Sequence, residues 1–312
     1  MNSVIHILEV CGTVAPAFIK DRASEEDARD GLKYMMETLK KISHHAQHEP
    51  LLIKPHRNTC LVSVACDCIG EPDKPNDEEI ALKALQFIGQ LLSVSSNLAD
   101  KLAFNDILSK VVGLTFSARN EVCKTATFVM DNYVLSGLVH ARAFAKNYAA
   151  ERVVKLADDQ RIDIKAEALY TLCHCITQAE EMGDSTFAKL PDEMTVAQRI
   201  LGHEYGVVIK SMIQGLRVDD QRLHVEIFEA LLILIEYKEG LDRLEEDETF
   251  GDLIEDYVIQ PHPDANLDKA ANLRNAFLSK REEGFGPDDQ IDSPMAFEGE
   301  KQASMVDGMF TI

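Results

Sequence analysis

Hydrophobic positions in the middle of this chain recur in blocks that are 42 residues apart. Within each block the apolar positions are four residues apart, as expected for one buried face of an α-helix. The matching positions are Ala84, Ala126 and Ala168, then Ile88, Met130 and Leu172, then Leu92, Val134 and Ile176. One such helix cannot bury its apolar face alone, so the period indicates stacked units that share a continuous core. The pattern therefore predicts an all-α fold, specifically an α-solenoid.

A second apolar helix is predicted upstream of two of these blocks, at 111–114 and again at 153–156. Multi-helix units of about 40–47 residues are typical of armadillo and HEAT repeats. We therefore expect a right-handed superhelical armadillo-type solenoid with about seven repeats.

The period is interrupted once in the second half of the chain. The segment DDQRIDI at 158–164 has a near copy, DDQRLHV, at 219–225, displaced by 61 residues instead of 42. Gly183 and Pro191 lie in a polar stretch between the two copies and break helical periodicity. This pattern predicts an inserted surface loop near 180–195.

The two ends of the chain differ from its middle. Helices are predicted at 27–45 and 60–69, but their spacing does not follow the 42-residue period. At the other end, glycines, prolines and few large apolar residues predict a disordered acidic tail at 282–312. The predicted organisation is thus a solenoid over 1–281 followed by this tail.

The charge balance favours one class of partner over others. Asp and Glu number 53 against 32 Lys and Arg, a formal net charge of −21. Residues 241–312 hold 18 acidic and 6 basic residues, so more than half of the net charge lies there. Such a chain is not expected to bind nucleic acid or anionic membrane and is suited to basic partners. The plainer alternative is that the charge only keeps the protein soluble.

Cysteine usage and hydropathy predict the compartment. The count of seven is odd, and Cys123, Cys173 and Cys175 lie in apolar helical runs, where small thiols pack well and stay reduced. We expect no apolar run of the roughly 20 residues that cross a bilayer, and no basic segment of a signal peptide. The expected location is therefore cytoplasm and nucleus, with no membrane contact.

Two histidine-containing motifs have spacings that could suggest a metal site. His44 and His48 are spaced by one helical turn but lack further ligands nearby, and the residues at 173–175, Cys-His-Cys, point about 100° apart on a helix. We also find no phosphate-binding glycine loop, no nucleophile elbow and no zinc-protease motif. The sequence therefore predicts a protein that is not an enzyme and has no metal or cofactor.

Three segments in the repeats resemble importin alpha, the armadillo-repeat adaptor that carries cargo bearing nuclear localisation signals. Residues 124–132, KTATFVMDN, resemble the family motif K-E-A-C-W-T-I-S-N, and 165–174 are similar to its next copy. Residues 84–90, ALQFIGQ, resemble A-L-R-x-V-G-N. Further similarity lies at 2–11, 240–245 and 305–310, and a weak patch covers 25–80.

The resemblance implies a peptide-binding site along the inner helices of the repeats. In the family motif, Trp and Asn lie four residues apart on one helix face. The Asn amide pairs with the backbone of an extended peptide, and the Trp rings hold the stems of its Lys and Arg side chains. The implied function is nuclear protein import with basic cargo, and the last repeats and acidic tail would contact the export receptor.

The chain departs from this motif because it contains no Trp. The positions equivalent to Trp and Asn are Ile5 and Glu9, Gln86 and Gln90, Phe128 and Asn132, Tyr170 and His174, and Leu231 and Ile235. We predict that peptide is bound by Gln86, Gln90, Phe128, Asn132, Tyr170 and His174. Cargo recognition is expected to be weakened or altered, and Phe128 and Tyr170 have an alternative interpretation as core aromatics.

A second departure is that no Arg/Lys-rich run precedes the first repeat. The family uses such a segment to bind importin beta, so the resemblance does not predict that partner here. The alternative function is an armadillo or HEAT scaffold that binds another folded protein and has no part in nuclear import.

Overall fold

The protein is described by a computed structural model that covers most of the chain. The described residues are 2–21, 26–45, 48–56, 58–71, 74–75, 77–95, 98–104, 106–181, 195–202, 207–259 and 267–283.

Helices of three kinds alternate along these residues. An outer row consists of α1 (Asn2–Asp21), α4 (Leu61–Ile69), α7 (Ile107–Leu114), α10 (Tyr148–Leu156), α13 (Val207–Gly215) and α16 (Phe250–Ile259). An inner row consists of α2 (Glu26–Ser43), α5 (Glu78–Leu92), α8 (Asn120–Val134), α11 (Ile162–Glu181), α14 (Gln221–Leu234) and α17 (Leu267–Glu283). Short helices lead into the later units: α3 (Glu49–Leu52), α6 (Leu98–Phe104), α9 (Leu138–Ala145), α12 (Val196–Gly202) and α15 (Lys238–Glu246).

Each inner helix packs against the next inner helix and against the outer helix of its own unit. The described chain thus forms five three-helix units, preceded by the pair α1 and α2, where the sequence predicted about seven repeats. Successive units contact one another in chain order, which is the packing of an all-α solenoid.

The predicted buried face of the inner helices is confirmed. Ala84, Ala126 and Ala168 are fully buried, and so are Ile88, Met130 and Leu172 at the next turn. Because these residues face the outer row, one continuous core runs through the solenoid between the two rows. The opposite side of the inner row is therefore free to carry polar and functional groups.

Local sequence signals fix where several helices begin. The side chain of Asp77 accepts a hydrogen bond from the backbone N–H of Glu79 at the start of α5, and that of Asn147 caps α10 in the same way. Between α8 and α9, Gly137 has a φ of +138°, a conformation that L side chains rarely adopt.

Two small strand pairs interrupt the otherwise helical first units. Strand β1 (Pro55–His56) pairs antiparallel with β2 (Thr59–Cys60), and β3 (Gly70–Glu71) pairs with β4 (Lys74–Pro75). Each strand has only two residues, so the two strand pairs close short loops and do not form a sheet layer. The carbonyl of Gly12 accepts a hydrogen bond from the hydroxyl of Thr59, which holds the first loop against α1.

Helix α1 corrects the expectation about apolar length. The 19-residue stretch Ser3–Asp21 is long and apolar enough to cross a membrane by length and composition. Leu8, Cys11 and Ala15 on one side of this helix are buried against the solenoid, and α1 packs on α2 and α4. Only 22% of this stretch is buried, so α1 packs on the solenoid along one side and leaves its other side exposed.

The predicted inserted loop and tail fall mainly outside the description. Helix α11 continues to Glu181 and α12 begins at Val196, so most of the loop near 180–195 lies outside the described residues. Helix α17 extends to Glu283, and the rest of the tail at 282–312 also lies outside them.

Candidate functional site

The side of the inner row that is turned away from the outer row is called the inner face here. It includes Gln86 and Gln90 on α5, Phe128 on α8, and Tyr170 and His174 on α11, all exposed or half-buried. The structure therefore brings five of the six predicted peptide-binding residues onto one side of three neighbouring helices. The sixth, Asn132, is placed differently.

Phe128 is the most exposed apolar side chain of this set. Its ring is 38% exposed and rests on α5 at Gly89, where an added Cβ would lie 3.1 Å from the ring. The glycine therefore lets the aromatic ring approach the backbone of the neighbouring helix. The position of Phe128 leaves a ring face available to a ligand and disfavours the alternative that it is a core aromatic.

Asn132 is largely buried and its amide is already used. The residue is only 8% exposed, and its Nδ2 donates a hydrogen bond of 2.9 Å to the carbonyl of Phe128 in the same helix. An amide held in this way does not reach out to a peptide backbone. The prediction that Asn132 contacts a ligand therefore has little support from its geometry.

The two glutamines on α5 also have partners within the protein. Gln86 accepts a hydrogen bond from Nζ of Lys40 on α2 at 3.0 Å and donates one to Glu121 on α8 at 3.2 Å. Gln90 donates to the hydroxyl of Ser93 at 3.4 Å, a long and weak bond. Gln90 is thus the more available of the two amides.

Tyr170 links α11 to the beginning of α14. Its hydroxyl donates to the carboxylate of Asp220, with O–O distances of 3.2 and 3.3 Å. Asp220 also caps α14 by accepting hydrogen bonds from the backbone N–H groups of Arg222 and Leu223. Burial raises the pKa of Tyr170, and the neighbouring Asp220 raises it further, so the phenol stays protonated.

His174 lies between two carboxylates on different helices, a group that we call the central cluster: Asp131, His174 and Glu226. Its Nδ1 donates to Oδ1 of Asp131 on α8 at 2.7 Å, and its Nε2 lies 3.5 Å from Oε2 of Glu226 on α14. Burial favours the neutral ring, but hydrogen bonds and charge from the two carboxylates outweigh it and raise the pKa of His174 to about 10. The ring is therefore an imidazolium that joins α8, α11 and α14.

A second acidic position lies beside the central cluster. Glu167 on α11 pairs with Nζ of Lys124 on α8 across 3.6 Å. Burial raises the pKa of Glu167 even though the charge of Lys124 lowers it. The ammonium of Lys124 is substantially exposed, so this pair is loose and one partner can move away.

Two of the five pairs predicted as equivalent to Trp and Asn do not lie on the inner face. Ile5 and Glu9 lie on α1, which belongs to the outer row. Leu231 and Ile235 are fully buried in the core. The offset of 61 residues aligns the DDQR motif of the loops, but it does not align the helix faces.

Sequence reasoning missed the two carboxylates of the central cluster. Asp131 lies three residues after Phe128, so it shares the inner face of α8, and this spacing was available in the sequence. Glu226 has no such signal, because the loop motif predicts a register for α14 that does not match its helix faces. Both are needed to explain why a histidine stands at position 174.

The candidate metal residues do not converge in the described part of the chain. There, no group of three or more His, Cys, Asp or Glu side chains has the geometry to hold a metal ion. Helix α2 ends at Ser43, so His44 lies beyond the helix and does not share a helical face with His48.

Comparison with known proteins gives matches by structure only. No family model matches the chain, and no curated protein matches it by sequence. A designed armadillo repeat protein in complex with the peptide (KR)4 matches with a TM-score of 0.63 and 19% identity over 84% of this chain and 98% of that one.

Two further designed structures give the same result. One is a designed armadillo repeat protein, with a TM-score of 0.65 and 16% identity over 84% of this chain and 99% of its own. The other is described as computationally designed for modular peptide recognition, with a TM-score of 0.64 and 16% identity over 85% and 98% of the two chains. At these identities the likeness shows the fold alone, and it confirms an armadillo-like α-solenoid.

Proposed function

We propose that this protein is a non-catalytic armadillo scaffold that binds an extended basic peptide on the inner face between α5 and α14. The observation that carries the proposal is the exposed ring of Phe128 and the ring of Tyr170 on neighbouring inner helices, next to carboxylates on α8, α11 and α14. Aromatic faces accept the apolar stems of Lys and Arg, and carboxylates attract their charged ends.

Two further facts support a basic ligand. The formal net charge of −21 attracts cations over a long range and speeds their association. The designed armadillo protein that shares the fold was solved with the alternating Lys-Arg peptide (KR)4. That peptide is therefore a reasonable first probe for this chain.

The finer proposal is an importin-alpha-like adaptor for nuclear-localisation-signal cargo, acting in cytoplasm and nucleus. It is supported by the motif resemblance on α5, α8 and α11. Binding is expected to be weaker than a complete Trp–Asn ladder would give. Each lost amide contact costs on the order of 1 kcal/mol, and Asn132 donates to its own helix.

Fluorescence anisotropy with labelled (KR)4 at low salt tests the basic-peptide site. We expect saturable binding to the wild type and binding about fivefold to tenfold weaker for Phe128→Ala, the loss of about 1 kcal/mol expected for a cation held on an aromatic face. The matched control is Tyr148→Ala, which removes an exposed aromatic from the outer row and should leave affinity unchanged.

An acidic peptide of equal length distinguishes charge-selective binding from nonspecific binding. Failure of the wild type to prefer (KR)4 over the acidic peptide contradicts the proposed function. Equal affinities of Phe128→Ala and Tyr148→Ala would remove Phe128 from the site while leaving a basic-peptide site elsewhere.

A second candidate function is a scaffold that binds a folded protein. It is favoured by the ion pairs that already span part of the inner face: Lys33 to Glu79 at 2.7 Å and Lys83 to Glu37 at 3.0 Å, both between α2 and α5. Pull-down with purified export receptor, with and without residues 282–312, distinguishes the two. Binding that depends on these residues supports the transport role, and its absence favours the scaffold.

A further inference from the structure

Three carboxylates on the inner face are already paired with two cations of this same chain, which leaves one net negative charge among them. His174 lies between Asp131 and Glu226, and Lys124 pairs with Glu167. The two ion pairs differ in length. Nδ1 of His174 lies 2.7 Å from Oδ1 of Asp131, a firm pairing, whereas Nζ of Lys124 lies 3.6 Å from Oε1 of Glu167.

The setting of His174 resembles that of a bound cation more than that of a ligand-binding side chain. As an imidazolium it has two N–H donors and no acceptor; Nδ1 donates to Asp131, and Nε2 lies 3.5 Å from a carboxylate oxygen of Glu226. Its charge is therefore directed at carboxylates of the neighbouring helices, and the ring has no acceptor to offer a peptide backbone. Its side chain is 17% exposed, so the ring closes the site at the surface without being sealed in the core.

We propose that the central cluster is a binding site for a Lys or Arg side chain of the peptide, and that His174 occupies this site as a built-in competitor. The inference rests on the proposed function, since it concerns affinity for the same basic peptide. In the free protein the imidazolium holds the carboxylates of α8 and α14 together. An incoming guanidinium or ammonium has to displace it to reach them.

Ion pairs elsewhere on the inner face explain why binding would be confined to part of it. Beyond the central cluster, Glu229 on α14 and Glu236 in the turn after α14 pair with Lys269 and Lys280 on α17. On the other side, Lys33 and Lys83 pair with acids across the α2 and α5 seam. The loose Lys124 to Glu167 pair is thus the position where a ligand cation exchanges most easily, and the firm pairing of His174 is the one that limits affinity.

The substitution that tests this inference is His174→Gln, which removes the positive charge and retains a donor for Asp131. We expect (KR)4 to bind about tenfold more tightly, because two carboxylates then lack an internal cation. The matched control is His140→Gln, another buried histidine paired with a carboxylate, Asp100, but located on α9. It should bind as the wild type does.

A second variant tests whether the gain comes from the freed carboxylates. Asp131→Asn combined with His174→Gln removes one carboxylate of the site and should return affinity to the wild-type level or below it. Melting curves establish that each variant is folded. Unchanged or weaker binding by folded His174→Gln, with wild-type binding intact, overturns the inference and leaves the proposed function standing.

NMR of histidine-labelled wild type keeps the inference testable even if the variant does not fold. The two ring nitrogens of His174 should both be protonated in the free protein at neutral pH. A neutral ring at pH 7 overturns the built-in competitor. Absence of (KR)4 binding by wild type and variants alike overturns the proposed function, and the inference falls with it.

Discussion

Ion pairs join neighbouring helices of the inner face in two different ways. One set lies between α2 and α5, which we call the first seam, and the other is the central cluster. At the first seam, Lys33 and Lys83 meet Glu79 and Glu37 as partly exposed pairs with flexible stems. At the central cluster, a single half-buried imidazolium joins three helices, with a short contact of 2.7 Å to Asp131 and a longer one of 3.5 Å to Glu226. Both arrangements pair carboxylates with cations, but the His174 to Asp131 pair of the second is the less exposed to water, with side chains 17% and 9% exposed.

This difference determines how much each region contributes to stability. Exposed ion pairs contribute about 0–1 kcal/mol because water competes for both partners. A buried pair is costly to break, because removing one partner leaves an uncompensated charge in a poorly solvated place. The first seam is therefore expected to tolerate substitution, whereas the central cluster is expected to hold α8, α11 and α14 in register.

The largest effect is expected from Asp131→Ala. It leaves the His174 imidazolium without its closest carboxylate and should lower the free energy of unfolding by about 3 kcal/mol. Urea denaturation followed by circular dichroism measures it. The matched variant Glu79→Ala at the first seam should change the same quantity by less than about 1 kcal/mol. Equal effects at the two places would contradict the comparison.

A pH series sharpens the same contrast. The pKa of His174 is about 10 in the folded protein against an ordinary value of 6.5, so its stabilising effect is complete below pH 6.5 and is lost as pH rises through 10. We expect the stability difference between wild type and His174→Gln to shrink steadily between pH 6.5 and 10. Thermal melts over this range measure it, and a difference independent of pH would show that His174 stays neutral.

A smaller effect is expected where packing and ligand binding meet. Replacing Gly89 with Val would place side-chain atoms where the ring of Phe128 now lies, since even a Cβ comes to 3.1 Å from it. We expect a loss of about 1–3 kcal/mol from this overpacking and weaker (KR)4 binding because the ring is displaced. Chemical denaturation measures the loss of stability, and fluorescence anisotropy measures the loss of affinity. An affinity equal to that of the wild type would show that the position of the Phe128 ring on Gly89 is unimportant for the ligand.

The smallest effect is expected from Lys33→Ala at the first seam. Loss of its pair with Glu79 should change stability only slightly, and the change should fade as salt is raised. Parallel melts at low and high salt measure it. A large effect that persists at high salt would place this seam in the same class as the central cluster.

The sequence predicted the repeat well because a buried helix face imposes a strict spacing on small and apolar residues. Ala126 and Met130 could be assigned to the core from the period of 42 alone, and both are fully buried. Polar partners across helices follow no such period, since each pair depends on how two helices are rotated. Leu231 lies in the core because the offset of 61 residues aligns the loop motif and does not align the helix faces.

The same limit applies to the candidate site. Phe128 and Tyr170 were found because an aromatic residue at a repeated position stands out. The role of His174 could not be predicted, because its partners Asp131 and Glu226 lie on two other helices. Asn132 matched the family motif, yet its amide bonds to its own helix, so a motif residue can be retained without the exposure that its function needs.

The central claim is that an extended basic peptide lies on the inner face across α8 and α11. Photo-crosslinking with a (KR)4 peptide that carries a photoreactive group, followed by mass spectrometry of the full chain, tests it directly. We expect crosslinks in 120–134 and 162–181 that an excess of unlabelled peptide abolishes. Competed crosslinks confined to the outer-row helices, such as 148–156, would contradict the account.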